Sequence, residues 1–103
     1  MSINQTYTNQ HKKTLNTKKI EYLNEDIDKV TSNILAIPSN IKSYNDILEV
    51  YDDAVKSGMK MQDTKEGYTQ KRDNVINSKT TLENKKQTLV NFKNKLLEEN
   101  KKL

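Results

Sequence analysis

Few side chains in this sequence could do chemistry, and none stands in the company that chemistry needs. The single histidine, His11, sits beside Lys12 and Lys13 in a polar stretch. A general base or metal ligand needs a second group to orient it or to complete a shell, and none is near in sequence. Glu21, Glu25 and Asp28 follow at steps of four and three, which places them on one helix face, and Asp52 adjoins Asp53. Paired carboxylates can hold Mg²⁺ or exchange protons, the latter where an apolar pocket shifts one of them. Neither group has an apolar surround in sequence, so both read as solvated outer faces. The chain has no cysteine, hence no thiolate nucleophile and no disulfide framework. It also lacks a Gly-rich phosphate loop, a G-x-S-x-G elbow and any metal-spaced cluster. The expectation is a protein that is not an enzyme and needs no cofactor or metal.

What does repeat is structural. Tyr68, Val75, Leu82, Leu89, Leu96 and Leu103 recur every seven residues, the spacing of a helix that buries one seam against other helices. Four residues after each of the first five stand Arg72, Lys79, Lys86, Lys93 and Asn100. Half of the expected apolar seam is therefore polar or cationic. A parallel homodimer would stack Lys79 on Lys79 and Lys86 on Lys86, which favours a heterotypic or antiparallel partner. The lysine stems can lie along the seam with their ammonium groups in water. A second ladder, Ile76, Glu83, Val90 and Leu97, runs alongside, with Phe92 at the border.

The elements that carry this pattern are helices. Ile20, Leu23, Ile27, Val30, Ile34 and Ile37 alternate steps of three and four, and Pro38 is expected to end that helix. Ile41, Tyr44, Leu48, Tyr51 and Val55 continue the alternation in a second, shorter one. Gly58 and Gly67, the only glycines, bracket a turn or hinge. Asp63-Thr64-Lys65-Glu66 reads as the next helix start. Residues 1–12 show no period and read as a flexible lead-in to a single helical domain at 13–103. The predicted helices span about 13–37, 41–57 and 64–100. No strand pattern is present. The fold class is all-α, an elongated helical hairpin or a three-helix antiparallel coiled-coil bundle.

Composition supports narrow apolar stripes. Of 103 residues, 32% are apolar and 31% charged, and the mean hydropathy is -1.00, so a broad core is not available. No apolar run approaches a membrane span, and the N-terminal stretch has no signal core. The expected location is the cytoplasm, or export without a cleaved signal. The net charge of +4 is unevenly laid out. Residues 1–20 hold four lysines and no acid, 21–63 nine acids against four lysines, and 64–103 ten bases against five acids. Nucleic-acid binding is the obvious reading of a pI near 9.2. It is disfavoured by the interleaved acids and by a single arginine, Arg72, where base readout relies on several.

The function that remains is a helical adaptor or chaperone that binds a larger protein by coiled-coil packing. Its expected partner-binding residues are Tyr68, Val75, Leu82, Leu89, Phe92 and Leu96, flanked by Lys79, Lys86 and Lys93. The alternatives are a self-associating coiled-coil regulator or assembly factor of a phage or mobile element, and a weak non-specific nucleic-acid binder. A small-molecule substrate is not expected.

Two long helices around a central break at Ile37-Pro38-Ser39, without cysteine in roughly a hundred residues, resemble the small helical proteins of Gram-positive type VII secretion. These include the WXG100-like proteins and the helical partners of LXG-type toxins. The resemblance implies a targeting factor or chaperone that forms a helical complex with a toxin before export. The chain has no tryptophan, so the W-x-G turn is absent. Tyr22 and Asp26 spell the Y-x-x-x-D export pattern, but inside the first helix, whereas the family places it after the second. Export recognition is therefore not carried over to them.

Overall fold

A computed structural model describes residues 3–103, with side chains from Thr8 onward. The protein is all-α, a hairpin of two long helices: α1, Ile3–Lys56, and α2, Lys65–Lys102. No strand occurs among the described residues. The chain divides into two compact units, one of Met1–Thr31 with Asn84–Leu103 and the other Ser32–Glu83. In each, a stretch of α1 runs antiparallel to a stretch of α2.

The first helix does not stop at Pro38, as its sequence suggested. Pro38 lies inside α1, and the shorter helix expected at 41–57 is the continuation of the same rod. Side chains that turn away from solvent on α1 include Lys13, Asn16, Ile20, Leu23, Ile27, Val30, Ile34, Ile37, Ile41, Tyr44, Leu48 and Tyr51, with Thr31, Ile47 and Ala54 beside them. The series from Lys13 to Tyr51 keeps the four-three alternation without a phase slip, including the step of four from Ile37 to Ile41 across the proline. A proline inside a helix costs about 3 kcal/mol through one lost hydrogen bond and a steric clash. Each isoleucine taken fully from water returns about 1.5–3 kcal/mol. Ile34 and Ile41 are half-buried and Ile37 is 3% exposed, so the continuous seam wins. Pro38 itself is exposed on the outside of the helix.

The expected lead-in is also replaced by helix: residues 3–12 belong to α1. Asn9, half-buried, adds one more step of four to the seam. Asn9 holds its seam position with a polar side chain, which hid the step. Met1 and Ser2 lie outside the described residues.

The connection between the helices, residues 57–64, is built from local hydrogen bonds. The Met59 N–H donates to the Ala54 carbonyl and the Gly58 N–H to the Val55 carbonyl, each at 3.0 Å, which closes α1 in a Schellman motif. The motif needs a left-handed residue, and Gly58 supplies it with φ of 88°. Gly58→Ala is expected to lower stability by about 1 kcal/mol, read as a shift in the urea midpoint. At the other end the Thr64 hydroxyl accepts the Gly67 N–H at 3.0 Å and caps α2.

Asp63 ties this corner together. Its carboxylate accepts the Thr64 N–H at 2.8 Å and pairs with Lys71 at 2.8 Å. Its carbonyl accepts the Tyr51 hydroxyl at 3.1 Å. A Cβ on Gly67 would collide with the Asp63 carboxylate, so glycine here makes room for the acid. The Tyr51 and Tyr68 rings meet edge to face with centroids 6.1 Å apart, and the Lys71 ammonium lies 5.8 Å from the Tyr68 ring centre. The hydrogen bond from Lys71 and that from the Thr64 N–H hold the Asp63 carboxyl below its ordinary value of 3.8. The same contact raises Lys71 above 10.5.

A group whose pKa is depressed by folding contributes stability that is complete above its unfolded value and lost as pH falls through the folded one. The Asp63 contribution is therefore expected to vanish on acidification below about pH 4, and that of Lys71 on raising pH beyond 10.5. Melting temperatures of wild type and Asp63→Asn should differ at neutral pH and converge in acid. A difference that persisted at low pH would refute this account.

Candidate interaction surface

In the first unit the register is set by a polar pair. Asn16, 5% exposed, donates from Nδ2 to Oδ1 of Asn100 at 3.0 Å. This alignment brings the Asn16 donor to the Asn100 acceptor, a polar pair at an otherwise apolar seam. Stepping seven residues along each antiparallel helix sets Leu23 across from Lys93 and Val30 across from Lys86. The intervening layers set Ile20 across from Leu96 and Ile27 across from Leu89. Val30 and Leu96 are buried, while Lys86 and Lys93 are half-buried. Apolar layers thus alternate with layers in which a lysine stem lies against an aliphatic side chain. Among the described residues no ion pair reaches Lys86 or Lys93.

The second unit is aligned by polar contacts at its flanks. Arg72 donates to the side-chain Oδ1 of Asn45 at 3.1 Å, and Lys65 pairs with Asp52 at 3.0 Å. Ile34 then lies across from Leu82, Ile41 from Val75 and Leu48 from Tyr68. Lys79 keeps to the outside and reaches Glu83 at 3.9 Å.

Most of the residues expected to receive a partner are therefore spent inside the hairpin. Tyr68 and Leu96 are buried; Val75, Leu82, Leu89, Lys86 and Lys93 are half-buried against α1. Only Lys79 and Phe92 are exposed. The reason is the length of α1, which supplies a seam residue for every step of the α2 ladder once the helix passes Pro38.

What is left to a partner is a different set. In the first unit Leu15, Tyr22, Phe92 and Leu97 are exposed, Tyr22 at 69% and Phe92 at 50%. In the second Leu35 (74%), Val50, Val55, Met59 and Ile76 are exposed. None of these except Phe92 stood among the expected contact residues. The signal was available in part: Leu15 and Tyr22 are seven apart and out of phase with the seam.

No group of three or more His, Cys, Asp or Glu side chains among the described residues could hold a metal ion. Glu21 and Asp28 are exposed, as are Glu25, Asp52 and Asp53. Asp63, in the corner between the helices, is held below its ordinary pKa by Lys71 and the Thr64 N–H. Lys42 is raised above 10.5 by its hydrogen bond with Asp46 at 2.8 Å, an ordinary surface pair. No helix is long and apolar enough to cross a membrane among the described residues. No protein-family model, curated protein or solved structure matches this chain.

Proposed function

We propose that this protein is a helical adaptor that binds a larger protein by adding helices to a mixed bundle. The observation that carries the reading is the set of large apolar side chains left outside a seam that is already filled. Leu15, Tyr22, Leu35, Phe92 and Ile76 are among them. Scattered singly such residues need no explanation, but here they recur on both units of a chain only 32% apolar. A narrow two-helix seam with no side chain below 2% exposure gains a deeper core when further helices dock on it. In its most specific form the partner is a toxin of a type VII secretion system, and the adaptor is its targeting factor or chaperone. The two-helix hairpin supports that form of the reading, with its turn at residues 57–64 and not at the Ile37-Pro38-Ser39 break on which the resemblance was drawn.

The test is co-expression with the product of the neighbouring gene, followed by size exclusion with light scattering. The expected result is a complex of defined stoichiometry with a melting temperature above that of the free adaptor. A stable homo-oligomer at micromolar concentration that ignores the neighbouring product would replace this reading with self-assembly.

A further inference from the structure

The two sides of the first unit differ in charge and in apolar content. On α1, Leu15 and Tyr22 occupy one heptad position beside Lys19 and Asp26. With Asn16 across from Asn100, antiparallel stepping brings Phe92 of α2 to the same side as Tyr22. Lys29, Lys85 and Lys95 border it, and the acids on that side are Asp26 and Glu99. The other side carries Glu21 and Asp28 on α1, with Val90 half-buried and Leu97 on α2. The unit as a whole holds eleven lysines against six acids. The lysines around Tyr22 and Phe92 have no ion pair in the chain among those described.

We propose that this side of the first unit, the groove marked by Leu15, Tyr22 and Phe92, is the docking site for an acidic amphipathic helix of the partner. The inference rests on the adaptor reading and names the chemistry of its partner. A third helix entering the groove sets its apolar stripe on Tyr22 and Phe92. Its flanking carboxylates then meet Lys19, Lys29, Lys85 and Lys95, and the lysines that would repel a second basic helix select an acidic one. A nucleic acid would meet the same lysines, but the aliphatic Leu15 in helical step with Tyr22 suits a helix rather than a row of bases.

The test uses the full chain and two peptides of about 28 residues, long enough to hold helical form. Both carry Leu at the seam positions; one has Glu at the flanking positions and the other Lys. Fluorescence anisotropy is expected to give the acidic peptide at least about tenfold tighter binding, weakened by added salt. Tyr22→Glu with Phe92→Glu should abolish that binding with an unchanged melt, since both side chains lie outside the seam. Lys85→Glu with Lys95→Glu should weaken the acidic peptide and strengthen the basic one, and Thr80→Glu, exposed on the second unit, should change neither. Equal affinity for the two peptides, no binding of the acidic one, or tighter binding of a single-stranded oligonucleotide would each overturn the proposal. If the Tyr22 and Phe92 variant still captures the co-expressed partner while Leu35→Glu does not, the adaptor reading stands and this face is wrong.

Discussion

Ile37→Ala is expected to lower the free energy of unfolding by about 2–5 kcal/mol, the largest loss from any single truncation in the second unit. Ile37 is the most buried apolar side chain among those described, and alanine leaves a void that a two-helix seam cannot close from elsewhere. The comparison that gives this meaning is Leu35→Ala, two residues away on the same helix and 74% exposed. Its effect should stay within about 0.5 kcal/mol. Urea titrations followed by circular dichroism provide both midpoints and slopes. Similar losses for the two would mean that the seam of α1 is not where Ile34, Ile37 and Ile41 place it.

Pro38→Ala is expected to do the opposite. Alanine restores the N–H that can bond the Ile34 carbonyl and removes the ring clash, a gain of about 3 kcal/mol. The freer unfolded chain takes back about 0.4–1 kcal/mol of it, which leaves a net stabilisation of about 2 kcal/mol. Because Pro38 is exposed on the outer face, the substitution disturbs no seam contact. The urea midpoint should rise, and amide exchange at residues 39–42 should slow. A neutral or destabilising result would mean that the chain turns at Ile37-Pro38-Ser39 and that α1 is two helices.

That choice between one helix and two shows how far the sequence could be read. The seven-residue ladder of α2 and the four-three alternation from Ile20 to Ile37 specify helices wherever apolar residues mark the phase. The step of four from Ile37 to Ile41 also carried the answer at Pro38, since a chain that turned there would have no reason to keep phase. A local rule about proline outweighed that long-range regularity when the residues were taken alone. Residues 3–12 were missed because Asn9, Lys13 and Asn16 hold seam positions with polar side chains. The turn at Gly58 and the helix start at Asp63-Thr64-Lys65-Glu66 were legible because their chemistry is local.

The proposed interaction surface was much less legible. Which side chains of α2 share a side with Tyr22 depends on alignment between residues far apart in sequence, and Asn16 and Asn100 fix it across 84 positions. Nothing in the spacing of either helix states that alignment. The lysines at Lys86 and Lys93 looked like a demand for an outside partner because a lysine in a closed seam is costly. Between only two helices the ammonium group can leave at the edge, so the chain tolerates them against its own α1.

The amide pair also constrains how this protein can change length. Seven residues gained or lost in one arm would keep every apolar residue of that arm in phase, so periodicity alone would let such a variant pass. Yet seven residues gained in α1 would set Asn100 against Leu23 with its amide unsatisfied, and seven lost there would set Asn16 against Lys93. The arms of this hairpin are therefore free to trade side chains but not to trade length, unless both are edited together.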